Sequence, residues 1–322
     1  MKKHPVLLGR LICTLTLFGL LSTGASAQIA LREALDFDRD GKADYTQYRP
    51  SDYFWYTLPS GGGGGYLAQA WGVANMDRFT PGDYDGDNQA DYAVFRDPTG
   101  VWYILSSSTF TWTAVHWGAS GDEPVARDYD GDGRTDVAIV RRTPGLMVWW
   151  VYFFDGSHRA TAWGTDTDFA VPGDYDGDGS FDVAVQRPGA TSSSTAVFYV
   201  YGTTAGFFGV PWGVGDDYAV PGDYDGDGKT DIAVVRTGQN GTDPLNWYIL
   251  GSNGNTFIWH TFGMTADDYF VQGDYDGDDR TDVAIWRQST GFFEVKSSLT
   301  GQVSYTNWGI AGDLPIASYD TH

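Results

Sequence analysis

The chain has 322 residues and a formal charge of −22, from 42 acidic against 20 basic side chains, with aromatic residues at 16%. A surface of that sign attracts neither nucleic acid nor anionic membrane, so both are excluded as partners. The aromatic content is enough for a sizeable core, and a single cysteine, Cys13, leaves no pair for a disulfide within the chain.

Residues 1–27 read as a secretory signal: Lys2, Lys3 and Arg10 give a basic start, Leu11–Leu21 an apolar stretch, and Ala25-Ser26-Ala27 a small-residue cleavage site. The expectation is a secreted, periplasmic or extracellular protein of residues 28–322 whose charge, without those three cations, is −25. No later stretch approaches the roughly 20 apolar residues of a membrane-spanning helix. An exported chain without disulfides needs another staple, and bound metal is the obvious one.

From Asp36 onward one acidic signature, Asp-x-Asp-x-Asp-Gly-x-x-Asp or a near copy, occurs six times. Its carboxylates are Asp36, Asp38, Asp40 and Asp44; Asp83, Asp85, Asp87 and Asp91; Asp128, Asp130, Asp132 and Asp136. The later copies supply Asp174, Asp176, Asp178 and Asp182; Asp223, Asp225, Asp227 and Asp231; Asp274, Asp276, Asp278 and Asp282. Four carboxylates in nine residues repel one another unless a hard cation gathers them, and calcium suits a flexible cage of oxygen ligands. These 24 aspartates exceed half of the 42 acids, so the acidity is largely a statement about metal sites. Up to six calcium ions are expected, each loop filling independently; they would bring −25 to about −13. Motif position six is Gly, Asn or Asp in every copy, the residues that most readily take a left-handed backbone. Position seven varies (Lys42, Gln89, Arg134, Ser180, Lys229, Arg280), as expected if only its carbonyl oxygen is a ligand. An EF-hand would need Glu at position twelve, where this chain has Gln47, Val94, Ile139, Val185, Val234 and Ile285.

The motifs start at 36, 83, 128, 174, 223 and 274, a spacing that indicates a solenoid, propeller or array. After each comes a short β-rich run ending in arginine: Arg49, Arg96, Arg141, Arg187, Arg236 and Arg287. Aromatic segments such as Val101–Leu105 and Asn246–Leu250 follow, then a stretch ending in Trp-Gly at Trp71, Trp117, Trp163, Trp212 and Trp308, with Phe262 in the remaining repeat. A fourth stretch, such as Phe169–Pro172, leads into the next motif, and Leu314–Ala317 repeats it at the end. Four short strands per repeat and no helical periodicity predict an all-β, six-bladed propeller of four-stranded blades. Seven blades, the alternative, would need repeats shorter than any spacing present.

The unit Trp117–Val125, Asp128–Asp136 and Val137–Ile139 resembles an FG-GAP or VCBS-type repeat, the repeat of integrin α-subunit propellers and of many bacterial exported proteins. The resemblance implies calcium in loops between the strands of each blade, held by the side chains at positions one, three, five and nine and the carbonyl at seven. Trp stands for the family's Phe in five repeats and a literal Gly-Ala-Pro is missing, so integrin partners do not carry over.

His116, His158, His260 and His322 occupy unrelated repeat positions, and no nucleophile elbow, histidine metal motif or phosphate loop is present. The expected function is therefore a calcium-binding adhesion or binding module for a surface protein or glycan rather than an enzyme. The alternative is a calcium-stabilised lectin with sugars between the blades, and a loop-built enzyme ranks third. The Trp-Gly tryptophans are expected to pack between blades, nearly wholly buried, and the repeated arginines to pair with an aspartate or with strand-end carbonyls.

Overall fold

The structure is a computed structural model that describes residues 35–62 and 64–317; the expected signal peptide lies outside the described residues. Its 24 strands form six separate four-stranded antiparallel sheets, and the one helical element among the described residues is a 3-10 turn at Asp97–Thr99. Blade two shows the pattern: an innermost strand Asp77–Phe79, a second Tyr92–Arg96, a third Val101–Leu105 and an outermost Trp112–His116. No helix among the described residues is long and apolar enough to cross a membrane.

Each second strand is buried along its first four residues, as in Val283–Arg287, because both of its faces lie against neighbouring sheets. A continuous run such as Val-Ala-Ile-Trp suits that position, since β-branched and aromatic side chains pack well on a doubly covered pleat. The third strands alternate buried and half-buried residues, and Trp55, Trp102, Trp149 and Trp247 on them are wholly buried. In blade six the indole moves to the second strand as Trp286, and Phe293 fills the third-strand place. The innermost strands of blades two to five, with Ala317, surround a cavity of about 770 Å³.

The repeat as written and the blade as folded differ in phase by one strand. The stretch before each motif pairs with the run after that motif, so the motif is a loop inside one blade, between its innermost and second strands. The sequence unit that begins at a motif therefore ends in the next blade. Leu314–Pro315 pairs with Gln47 and Tyr48 and completes blade one.

Two contacts recur from blade to blade. Arg49, Arg96, Arg141, Arg187, Arg236 and Arg287 each grip a buried aspartate through two hydrogen bonds: Asp313, Asp77, Asp122, Asp168, Asp217 and Asp268. Such paired geometry is the strong form of the arginine–carboxylate bond, and the expected arginine–aspartate pairing is what the fold contains. The second contact is the seam. The indole N–H of Trp71, Trp117, Trp163, Trp212 and Trp308 donates to the main-chain oxygen of Tyr103, Trp150, Tyr199, Tyr248 and Tyr56 in the next blade, at 3.0–3.2 Å. These tryptophans are half-buried, contrary to the expectation of near-complete burial, because they stand towards the outer edge where the blades splay apart. The fully buried indoles are the third-strand set and Trp286, and four of them, Trp55, Trp102, Trp149 and Trp286, donate to the carbonyls of Trp71, Trp117, Trp163 and Trp308.

Candidate metal centres

The motif loops fold around their own aspartates. In the first, Asp36 Oδ1 accepts the N–H groups of Arg39 at 2.7 Å and Asp40 at 3.2 Å, and Oδ2 that of Gly41 at 2.9 Å. Asp83, Asp128, Asp174, Asp223 and Asp274 likewise accept the N–H groups of positions four and six in their loops. That wrap requires left-handed backbone at position six, as expected, from 60° at Asn88 to 96° at Gly179. It also requires it at position four, which sequence reasoning passed over: φ is 65° at Arg39 and 76–79° at Gly86, Gly131, Gly177, Gly226 and Gly277. Glycine at position four in five of six copies was the available signal. A second reason for glycine there is space, since a Cβ on Gly86 would lie 2.8 Å from the Arg134 side chain.

Position nine closes each loop. Asp91 Oδ2 accepts the N–H of Tyr84 at 3.0 Å and its own N–H donates to the Gly82 oxygen at 2.8 Å. Asp44, Asp136, Asp182, Asp231 and Asp282 accept the N–H of motif position two in the same way.

The hairpin joining the third and outermost strands supports the loop from the side. Ser60, Ser107, Thr203, Ser252 and Ser298 donate main-chain N–H groups to position nine. Hydroxyls of Ser106, Ser252, Ser297 and Ser298 reach Asp85, Asp227, Asp276 and Asp278 at 2.5–2.8 Å. Sequence reasoning missed these residues: Ser106 and Ser297 lie 21 positions from their aspartates, in a hairpin of variable length.

The position-seven side chains do not point freely into solvent. Gln89 Nε2 donates to the Phe37 oxygen at 2.8 Å and Lys229 Nζ to the Asp176 oxygen at 3.0 Å, each reaching the preceding loop. Lys42, Arg134, Ser180 and Arg280 likewise lie close to position four of the loop before, at Gly277, Gly86, Gly131 and Gly226.

Main-chain bonds tie the loops together as well. The N–H of position eight donates to the carbonyl of position one in the preceding blade: Ala90 to Asp36, Thr135 to Asp83, Phe181 to Asp128, Thr230 to Asp174 and Thr281 to Asp223, at 2.6–2.7 Å. Ala43 closes the circle on Asp274 at 2.7 Å.

The arrangement fits a hard cation. Carboxylate oxygens of Asp36, Asp38 and Asp40, of Asp83, Asp85 and Asp91, of Asp128, Asp130 and Asp136, of Asp174, Asp176 and Asp178, and of Asp223, Asp225 and Asp231 lie within 4.8 Å of one another in each group. Oδ1 of Asp85, Asp87, Asp176, Asp225 and Asp276 is buried with no hydrogen-bond partner. An anionic oxygen in that state costs free energy unless something positive meets it. Burial, reinforced by the neighbouring carboxylates, pushes Asp44 and Asp136 up to about 8 and Asp91, Asp182, Asp231 and Asp282 up to about 7. The aspartate clusters can hold metal ions, and all of the donors are oxygen.

A search of curated proteins finds no match for the chain. Residues 83–139, which contain the second and third motif loops, match the family model of the FG-GAP-like repeat. The molecule is thus a six-bladed β-propeller whose second and third acidic loops lie in a segment of FG-GAP-like repeat.

Proposed function

We propose that the protein is an exported β-propeller, loaded with calcium in its motif loops, that acts as a binding or adhesion module and not as an enzyme. The observation that carries the calcium reading is the set of buried, unpartnered carboxylate oxygens on Asp85, Asp87, Asp176, Asp225 and Asp276. An all-oxygen, multi-carboxylate loop with irregular geometry favours calcium over magnesium, which demands a near-ideal octahedron and gives up water reluctantly. The export reading rests on residues 1–27, and the module reading on the absence from the sequence of a recognisable catalytic motif. Ion counting on the purified protein after dialysis against calcium tests the first part: several ions per chain are expected, and none would refute it.

One observation favours glycans as the partner. The half-buried seam tryptophans stand beside aromatic rings of the next blade, Trp163 at 5.4 Å from Phe207, Trp308 at 5.5 Å from Tyr66 and Trp212 at 5.9 Å from Phe257. Phe207, Tyr66 and Phe257 are each about 60% exposed, so their rings are available to sugar C–H faces. A glycan array in calcium decides between sugar and protein partners, with quenching of tryptophan fluorescence as the confirming signal for a sugar.

A further inference from the structure

The repeat pattern makes each acidic loop look self-contained. We infer instead that the six loops form one coupled ring, in which filling a loop with its cation raises the affinity of the loops on either side. This rests on the cation reading given above and adds to it a specific physical linkage.

The linkage is the closed circle of main-chain bonds. Each bond accepts at a ligand residue, motif position one, and donates from position eight, the residue before the position-nine ligand of the next blade. Thr230, for example, donates to the Asp174 oxygen at 2.7 Å and is followed by Asp231. Phe181, followed by Asp182, donates to the Asp128 oxygen at 2.7 Å. Moving a position-one residue therefore moves an attachment point one residue from a ligand in the next blade.

The junctions have little slack. A Cβ on Gly82 would lie 2.5 Å from the Thr135 side chain, on Gly173 2.6 Å from that of Thr230, and on Gly222 2.6 Å from that of Thr281. Lys229 adds a side-chain bond from loop five to the Asp176 oxygen of loop four, at 3.0 Å. Because Ala43 bonds Asp274, no loop is terminal and each has two neighbours.

Without a cation, the carboxylates of a loop repel and the loop relaxes outward, which loosens the bond its position-one carbonyl accepts. With a cation they are drawn in, and that carbonyl presents a fixed acceptor to the next loop. The two states of one loop thus differ in their contacts with the next, the requirement for coupling, and the effect is reciprocal by linkage.

The experiment is a calcium titration by calorimetry on the full chain, with ion counting, for the wild type and Asp176→Ala. About 1 M potassium chloride shortens the Debye length to about 3 Å, so long-range charge effects of the substitution are screened. Hydrogen exchange is followed in parallel at the link amides of Phe181 and Thr230. Coupling predicts a wild-type transition steeper than that of independent sites. It also predicts that Asp176→Ala raises the midpoint of the remaining ions about fivefold or more, with faster exchange at Thr230 at subsaturating calcium. Five ions bound at the wild-type midpoint, with Thr230 exchange unchanged, would overturn the coupling and leave the cation reading intact. A flat wild-type titration would overturn both. If Asp176→Ala does not fold, Asp176→Asn carries the same measurements, because it keeps the shape and removes the charge.

Discussion

The motif loops and the blade seams do the same job, joining each sheet to the next, with opposite chemistry. The loops join through main-chain N–H groups and crowd like charges: 15 of the 24 motif aspartates have raised pKa values, because burial, and after it the neighbouring carboxylates, disfavour the charged form. The seams join through an indole donor and tilted or edge-on aromatic rings, which need no ion and carry no charge. What the loops contribute is therefore conditional on solution conditions, and what the seams contribute is not. Within the seams one junction stands apart. Between blades five and six, Phe262 replaces the tryptophan, and a polar contact crosses the junction, Lys296 with His260 at 2.9 Å.

The largest expected effect is on the conditional half. Removing calcium should lower stability by about 2.7 kcal/mol for each ion held at 100 times its dissociation constant, so several ions together outweigh any single substitution. Calorimetry with and without chelator checks this, and identical melting would refute the contrast between loops and seams.

The pH dependence comes next. The position-nine aspartates have folded pKa values of about 7 to 8, above the ordinary 3.8, because burial and neighbouring carboxylates disfavour their charged form. A raised pKa supplies stability that is complete below about 4 and is lost as pH rises through 7 to 8. Chelated protein should accordingly melt lower at pH 8 than at pH 5. Calcium should reverse the trend, since it binds the carboxylate form and competes with protons. A chelated protein that is most stable at pH 8 would show that the loops are not frustrated in the absence of an ion.

On the unconditional half, Trp212→Ala removes a half-buried indole and its bond to the Tyr248 oxygen. The expected cost is about 3 kcal/mol, the lower end for tryptophan truncation, by urea unfolding. It should be the same in calcium and in chelator, and a cost that appears only in calcium would join the seams to the loops. The smallest effect sharpens the exception. Phe262→Trp supplies the indole donor missing from the fifth seam, and a gain of about 1 kcal/mol is expected from the added hydrogen bond.

Much of this was legible in the residues. The strands follow from runs such as Val137-Ala-Ile139, whose continuous apolar character marks a strand covered on both faces, and from the glycine and aspartate punctuation between them. The four carboxylates of each motif were legible because their chemistry depends on local spacing. The phase of the blades was not, because nothing in Phe169–Pro172 says on which side of the motif its pairing partner lies. The partners of the arginines were hidden in a similar way. Asp77, Asp122, Asp168, Asp217 and Asp268 stand 19 residues before their arginines, but Arg49 reaches Asp313 across 264 positions. The hairpin hydroxyls escaped because their offset follows the hairpin: Ser106 and Ser297 stand 21 positions from Asp85 and Asp276, whereas the Thr204 hydroxyl reaches Asp176 across 28.

Blade one draws its innermost strand from Leu314–Pro315 and the other three from Tyr45–Ala70. The covalent order of the blades is consequently separable from their order around the axis. A circularly permuted chain, with its break moved to the Asp97–Thr99 turn and residues 35 and 317 joined by a flexible bridge, should assemble the same six sheets. In such a chain blade one would be continuous and blade two would become the blade assembled from both ends.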